Sequence, residues 1–103
     1  MDPRSLHRDQ DQFLVVDVRE PGEWEAGHIQ GALHIPMVQV RGRLEELRDR
    51  RVVTVCKSGH RSGQVAEFLA ARGFEAENMN GGMKAWFKAG LPMAASSGNP
   101  RVA

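Results

Sequence analysis

Two short runs of this chain, Phe13-Leu14-Val15-Val16-Asp17-Val18 and Val52-Val53-Thr54-Val55-Cys56, are apolar at consecutive rather than alternate positions. A strand with one face in water alternates apolar and polar residues, so runs like these suit strands covered on both sides. The segments between and after them keep helical spacing. Glu20 to Gly27 reads as a short acidic helix, with Pro21 suited to an early position and Gly27 as its terminator. Ala32-Leu33-His34-Ile35 is a second short strand, stopped by Pro36. Met37 to Leu47 places Val40, Leu44 and Leu47 at helical intervals, with Gly42 as its weak point.

The third strand, Val52 to Cys56, is followed by a helix over Ser62–Arg72, with Val65, Phe68 and Leu69 on one face and Gly73 at the cap. Phe74 to Met79 is a fourth strand, and Gly81-Gly82 opens a last helix that Gly90 and Pro92 close. Asp2 to Arg8 can add one helical turn at the start. The order β-α-β-α-β-α-β-α predicts an α/β fold, a central parallel sheet of four to five strands with helices on both faces. Reactive groups in such sheets gather beyond the carboxyl ends of the strands, where Asp17 and Cys56 both fall. Residues 1–93 form one domain in this reading, and 94–103 have the composition of a flexible tail.

Composition narrows the function classes. At 103 residues, with 41% apolar and 26% charged side chains, the chain has room for one ordinary core. Its 14 Lys and Arg give a net charge of only +1, and the clusters Arg41-Gly42-Arg43 and Arg48-Asp49-Arg50-Arg51 read as solvated surface. Neither a nucleic-acid partner nor a membrane is expected, since no run approaches the ~18 apolar residues of a span. The start, Met1-Asp2-Pro3-Arg4, lacks the apolar stretch of a signal peptide. A lone cysteine cannot close an internal disulfide, which points to a reducing cytoplasm, and a monomer is expected.

That one cysteine opens the segment Cys56-Lys57-Ser58-Gly59-His60-Arg61-Ser62. A strand ending in a thiol and turning at once into a helix makes a cup of backbone N–H groups that favours negative charge. Such a setting, with Lys57 and Arg61 nearby, also favours thiolate over thiol.

The match extends beyond the loop. Asp17-Val18-Arg19-Glu20 with Glu23, then Gly27-His28-Ile29-Gln30-Gly31-Ala32 and Ile35-Pro36, resembles the amino-terminal signature of the rhodanese domain family. Gly81-Gly82-Met83-Lys84-Ala85-Trp86, with Gly90-Leu91-Pro92, resembles its carboxy-terminal signature, so the likeness covers residues 13–92. It implies a rhodanese-like sulfurtransferase without a cofactor. Cys56 would take a sulfane sulfur from a small anionic donor such as thiosulfate, and pass it to cyanide, a small thiol or a protein thiol. Lys57, Ser58, Gly59, His60, Arg61 and Ser62 would cradle the persulfide, with Asp17 and Arg19 as ion-paired support for the loops. Only four residues separate Cys56 from Arg61, whereas cysteine phosphatases place five there. That shorter loop goes with sulfur transfer rather than with the phosphatases and arsenate reductases of the fold. A module that binds a partner or carries sulfur without turnover is the other alternative.

The match has three departures. Lys57 stands where arginine is common, keeping the charge without the bidentate fork. Met83 stands where an aromatic residue is common, and the family's usual first strand has no counterpart ahead of Asp2-Pro3-Arg4. Among the other candidates, Glu20, Glu23 and Glu25 read as a solvated helix face. His28 is expected to bond a backbone group. His7 and His34 have no second ligand at metal spacing, so no metal is expected. Trp24, Phe68, Trp86 and Phe87 read as core and rim packing.

Overall fold

In the computed structural model, which describes residues 1–103, the two apolar runs lie side by side at the centre of a sheet. β1 (Leu14–Asp17) pairs in parallel with β3 (Arg51–Val55), with Leu14 opposite Val52 and Asp17 opposite Val55. β2 (Leu33–His34) flanks β1, and β4 (Glu75–Asn78) flanks β3, giving a four-stranded sheet of order β2-β1-β3-β4 in which every pairing is parallel.

Alternation along the central strands sends neighbours to opposite faces. Val16, Val18 and Val52 meet Val40, Leu47, Val65 and Leu69 on one side. Val15, Val53 and Val55 meet Leu6, Ile29, Met83 and Trp86 on the other. The first face is covered by α3 (His60–Ala70) and the second by α1 (Pro3–Arg8) and α4 (Gly82–Lys88). Continuing the alternation from Val52 through Thr54 brings Cys56 to the α3 side. Strand register therefore decides which helix the thiol faces. No helix is long and apolar enough to cross a membrane.

Four expectations change in detail. Met37–Leu47 is not one α-helix but a run of 3₁₀ turns broken at Arg43, whose φ is −127°. Val38, Val40 and Gly42 are poor helix formers, while Val40 and Leu47 still reach the core. The chain also does not leave the domain after residue 93. Ala94 bridges His28, the Ser96 N–H donates to the Glu25 carbonyl (3.0 Å), and the Arg101 N–H donates to the Ala26 carbonyl (2.9 Å). Val102 packs on the second cluster. Gly27, at the end of α2 (Pro21–Ala26), is extended rather than left-handed. It is needed because a Cβ there would lie 2.8 Å from the Arg101 nitrogen. Finally, Phe87 is half exposed rather than packed.

Candidate active site

The loop after β3 is shorter than its sequence suggests. α3 begins at His60, so His60 and Arg61 belong to its first turn. Gly59 makes the corner with φ +101°, a left-handed conformation costly for other residues. Cys56 is buried at the foot of this corner, and two groups reach its sulfur. The Gly59 N–H donates to Sγ at 3.1 Å, and Ser62 Oγ lies 3.2 Å from Sγ. Burial pushes the thiol pKa up. The Ser62 hydroxyl and the backbone N–H groups of Ser62, Gly59 and Ser58 outweigh it and leave the pKa below the usual thiol range.

The loop's carbonyls are held from behind. The Met83 N–H donates to the Cys56 carbonyl at 2.8 Å and the Lys84 N–H to the Lys57 carbonyl at 3.0 Å. The first turn of α4 therefore spends its free donors on the loop. Gly82 permits this approach. Its φ is +61°, and a Cβ there would sit 2.5 Å from the Lys57 carbonyl. With these carbonyls turned toward α4, the loop's N–H groups can point at the sulfur.

Asp17, the last residue of β1, and Arg19 just beyond it form a buried bidentate pair. Arg19 Nη2 donates to Asp17 Oδ2 at 2.7 Å, and Nε donates to Oδ1 at 2.9 Å. Arg19 Nη2 also reaches the Gly27 carbonyl at 2.8 Å, while Nη1 is left without a partner. The pair ties the end of β1 to the end of α2. Trp24 of α2 is stacked between His28 and His34. Each imidazole bonds a backbone carbonyl, His28 to Trp24 and His34 to Arg19, both at 2.7 Å.

Glu23 overturns the solvated-face reading of α2. Its carboxylate takes two hydrogen bonds from the Arg61 guanidinium, at 2.8 and 2.9 Å, and is itself only 19% exposed. Glu20 and Glu25 do remain exposed. Arg61 is thus neutralised across the cup, leaving partly exposed Lys57 as the loop's unpaired cation. The His60 side chain is exposed. Two residues escaped the sequence reading, Glu23 as Arg61's partner and Asn78. Asn78 Nδ2 donates to the Gly59 carbonyl at 3.0 Å, and its Oδ1 lies 2.5 Å from Ser62 Oγ. The Arg48–Arg51 cluster lies well away, at the opposite end of β3, where Arg48 pairs with Glu45 and Arg51 with Glu75.

The Arg61 hydrogen bonds hold the Glu23 carboxyl down to about 2 from an ordinary 4.5, against the opposing effect of burial. A depressed carboxyl stabilises the fold above its unfolded pKa, and that stability is lost as the pH falls through the folded one. Wild type is therefore expected to lose stability between about pH 5 and pH 2, and Glu23→Gln to lose less over the same window. Thermal melts across that range check this. Equal acid sensitivity in both proteins would contradict it.

A parallel α/β domain with a cysteine loop set between the ends of β3 and α3, and braced by α4, is a recognisable class. The chain belongs to the rhodanese-like domain family, whose model matches residues 3–89. It is 40% identical over 92 residues to a sulfurtransferase of Allochromatium vinosum, covering 87% of this chain and 86% of that one. It is 35% identical to the thiosulfate sulfurtransferase GlpE of Vibrio cholerae, covering 85% of each. A rhodanese-related protein from Thermoplasma volcanium superposes with a TM-score of 0.87 at 30% identity, covering 91% of this chain and 95% of that one.

Proposed function

We propose that this domain is a sulfurtransferase working through a Cys56 persulfide. The observation that carries the reading is the sulfur's setting: Sγ sits in reach of the Gly59 N–H and the Ser62 hydroxyl at a helix N-terminus. These donors favour the thiolate, so no separate general base is needed. The thiolate attacks the outer sulfur of a donor such as thiosulfate. A Cys56 S–S bond forms, the donor's S–S bond breaks, and sulfite leaves with that bond's electron pair. A thiophilic acceptor (cyanide, a small thiol or a protein thiol) then attacks the outer sulfur, and Cys56 departs as thiolate. Charge and electrons balance in both halves without an added oxidant or reductant.

Lys57 is the cation free to draw in an anionic donor, while Glu23 offsets Arg61. The narrow cup, with its N–H groups close around one atom, suits a sulfur better than a tetrahedral phosphoryl group.

The test is incubation of the reduced protein with excess thiosulfate, followed by intact-mass measurement and then cyanide. The expected result is a gain of one sulfur atom, removed by cyanide as thiocyanate. Absence of the persulfide both here and with a protein persulfide donor refutes the proposal. Cys56-dependent hydrolysis of an aryl phosphate would replace it with phosphoryl chemistry. A persulfide that forms only from a protein persulfide donor, not from thiosulfate, would make the domain a sulfur carrier.

A further inference from the structure

The Ser62 hydroxyl has one proton and two acceptors within reach, Cys56 Sγ at 3.2 Å and Asn78 Oδ1 at 2.5 Å. The orientation of the Asn78 amide follows from its other contact, because Nδ2 donates to the Gly59 carbonyl at 3.0 Å. Turning the amide over would set Oδ1 against that carbonyl, with two acceptors and no hydrogen between them. Oδ1 therefore faces the serine. At 2.5 Å two oxygens need the serine proton between them.

We propose that Asn78 is a positioning residue that competes with Cys56 for the Ser62 proton, so that the hydroxyl turns between sulfur and amide as the charge on Sγ comes and goes. With a thiolate the proton points at Sγ. When a persulfide forms, the negative charge moves to the outer sulfur and Sγ becomes a weak acceptor. The proton then swings to Asn78 Oδ1, and a buried donor is not left unsatisfied. When an acceptor takes the outer sulfur, the proton returns to stabilise the departing thiolate. The hydroxyl turns about its Cβ–Oγ bond, Oγ and Oδ1 ease apart when the proton leaves the space between them, and no bond to hydrogen is broken. Asn78 thus holds back the free thiolate and eases its conversion to persulfide. This sulfur-cycle consequence rests on the proposed function, whereas the proton competition itself does not.

The titratable and charged groups on the elements that meet at the Cys56 loop are Lys57, His60 and Arg61 after β3, Asp17 at the end of β1 with Arg19 beyond it, Glu23 on α2 and Lys84 on α4. All of them are present in every variant of the test, so they drop out of the comparison.

The experiment is the pH dependence of Cys56 alkylation by iodoacetamide, with no sulfur donor present. It compares wild type, Ser62→Ala, Asn78→Ala and the double variant. Ser62→Ala removes a donor to sulfur, and alkylation below the midpoint should slow by about three- to tenfold. Asn78→Ala leaves the hydroxyl only sulfur to bond, and alkylation there should quicken by about two- to fivefold. In the Ser62→Ala background, removing Asn78 should give no such gain, because only the bond to Gly59 is lost. The same factor in both backgrounds, or no change in either, overturns the proposal. Asn78→Val suits a strand, cannot accept a proton, and serves as the second variant with the same expected result. Because alkylation needs no sulfur chemistry, failure of the sulfurtransferase reading would not imitate failure here.

Discussion

Cys56→Ser is expected to leave a folded protein that forms no persulfide and transfers sulfur at least about a thousandfold more slowly than wild type. Serine is close in size and keeps the buried position at the end of β3, so the sheet and the loop's bonds to α4 should persist. The chemistry should not. The donors around Sγ lower the pKa of a thiol, but an alcohol starts far too high for the same donors to make it a useful nucleophile. Serine also cannot offer the polarisable sulfur on which a sulfane sulfur is carried. Thiocyanate production by the two proteins, with thermal melts as the folding control, is the measurement. Transfer within tenfold of wild type would remove Cys56 from the mechanism.

The second large effect is on stability. Asp17→Ala should cost about 3–5 kcal/mol, because it leaves the Arg19 guanidinium buried beside a carbonyl and without its counter-charge. Against a total of about 5–15 kcal/mol for a domain, that is a large fraction of its stability. The melting temperature should fall by on the order of 20 °C. The argument predicts an asymmetry. Two charges buried together offset each other's desolvation, so replacing both residues (Asp17→Leu with Arg19→Met) should be far milder than Asp17→Ala alone. Denaturant unfolding of the single and double variants would show it. A double variant as unstable as Asp17→Ala would mean that the pair matters by shape rather than by charge.

The parts of this fold legible in the sequence are those whose cause is local. Consecutive β-branched residues in β1 and β3 can only be buried on both faces, and Gly59 and Gly82 mark corners that other residues resist. The cysteine loop could be read because its residues are contiguous. The role of Glu23 could not, because its partner Arg61 lies 38 residues away and charge alone does not separate it from Glu20 or Glu25. Asn78 is hidden for the same reason, since it sits in a weakly patterned edge strand 16 residues from Ser62. The 3₁₀ segment eluded the periodicity because Val40 and Leu47 reach the core from either kind of turn. The tail composition of residues 94–103 gave no sign that its backbone would bond α2.

The loop is braced by α4 through the carbonyls of Cys56 and Lys57, and by Asn78 of β4 through that of Gly59. Both braces lie downstream of the cysteine. During synthesis the thiol leaves the ribosome well before residues 78–84, and until they arrive the loop that carries it lacks both braces. Its acidity is therefore acquired almost last, when the strand order closes. A nascent or damaged chain without those braces should carry a less acidic thiol, and reagent sensitivity at Cys56 then becomes a readout of whether the whole domain has been built.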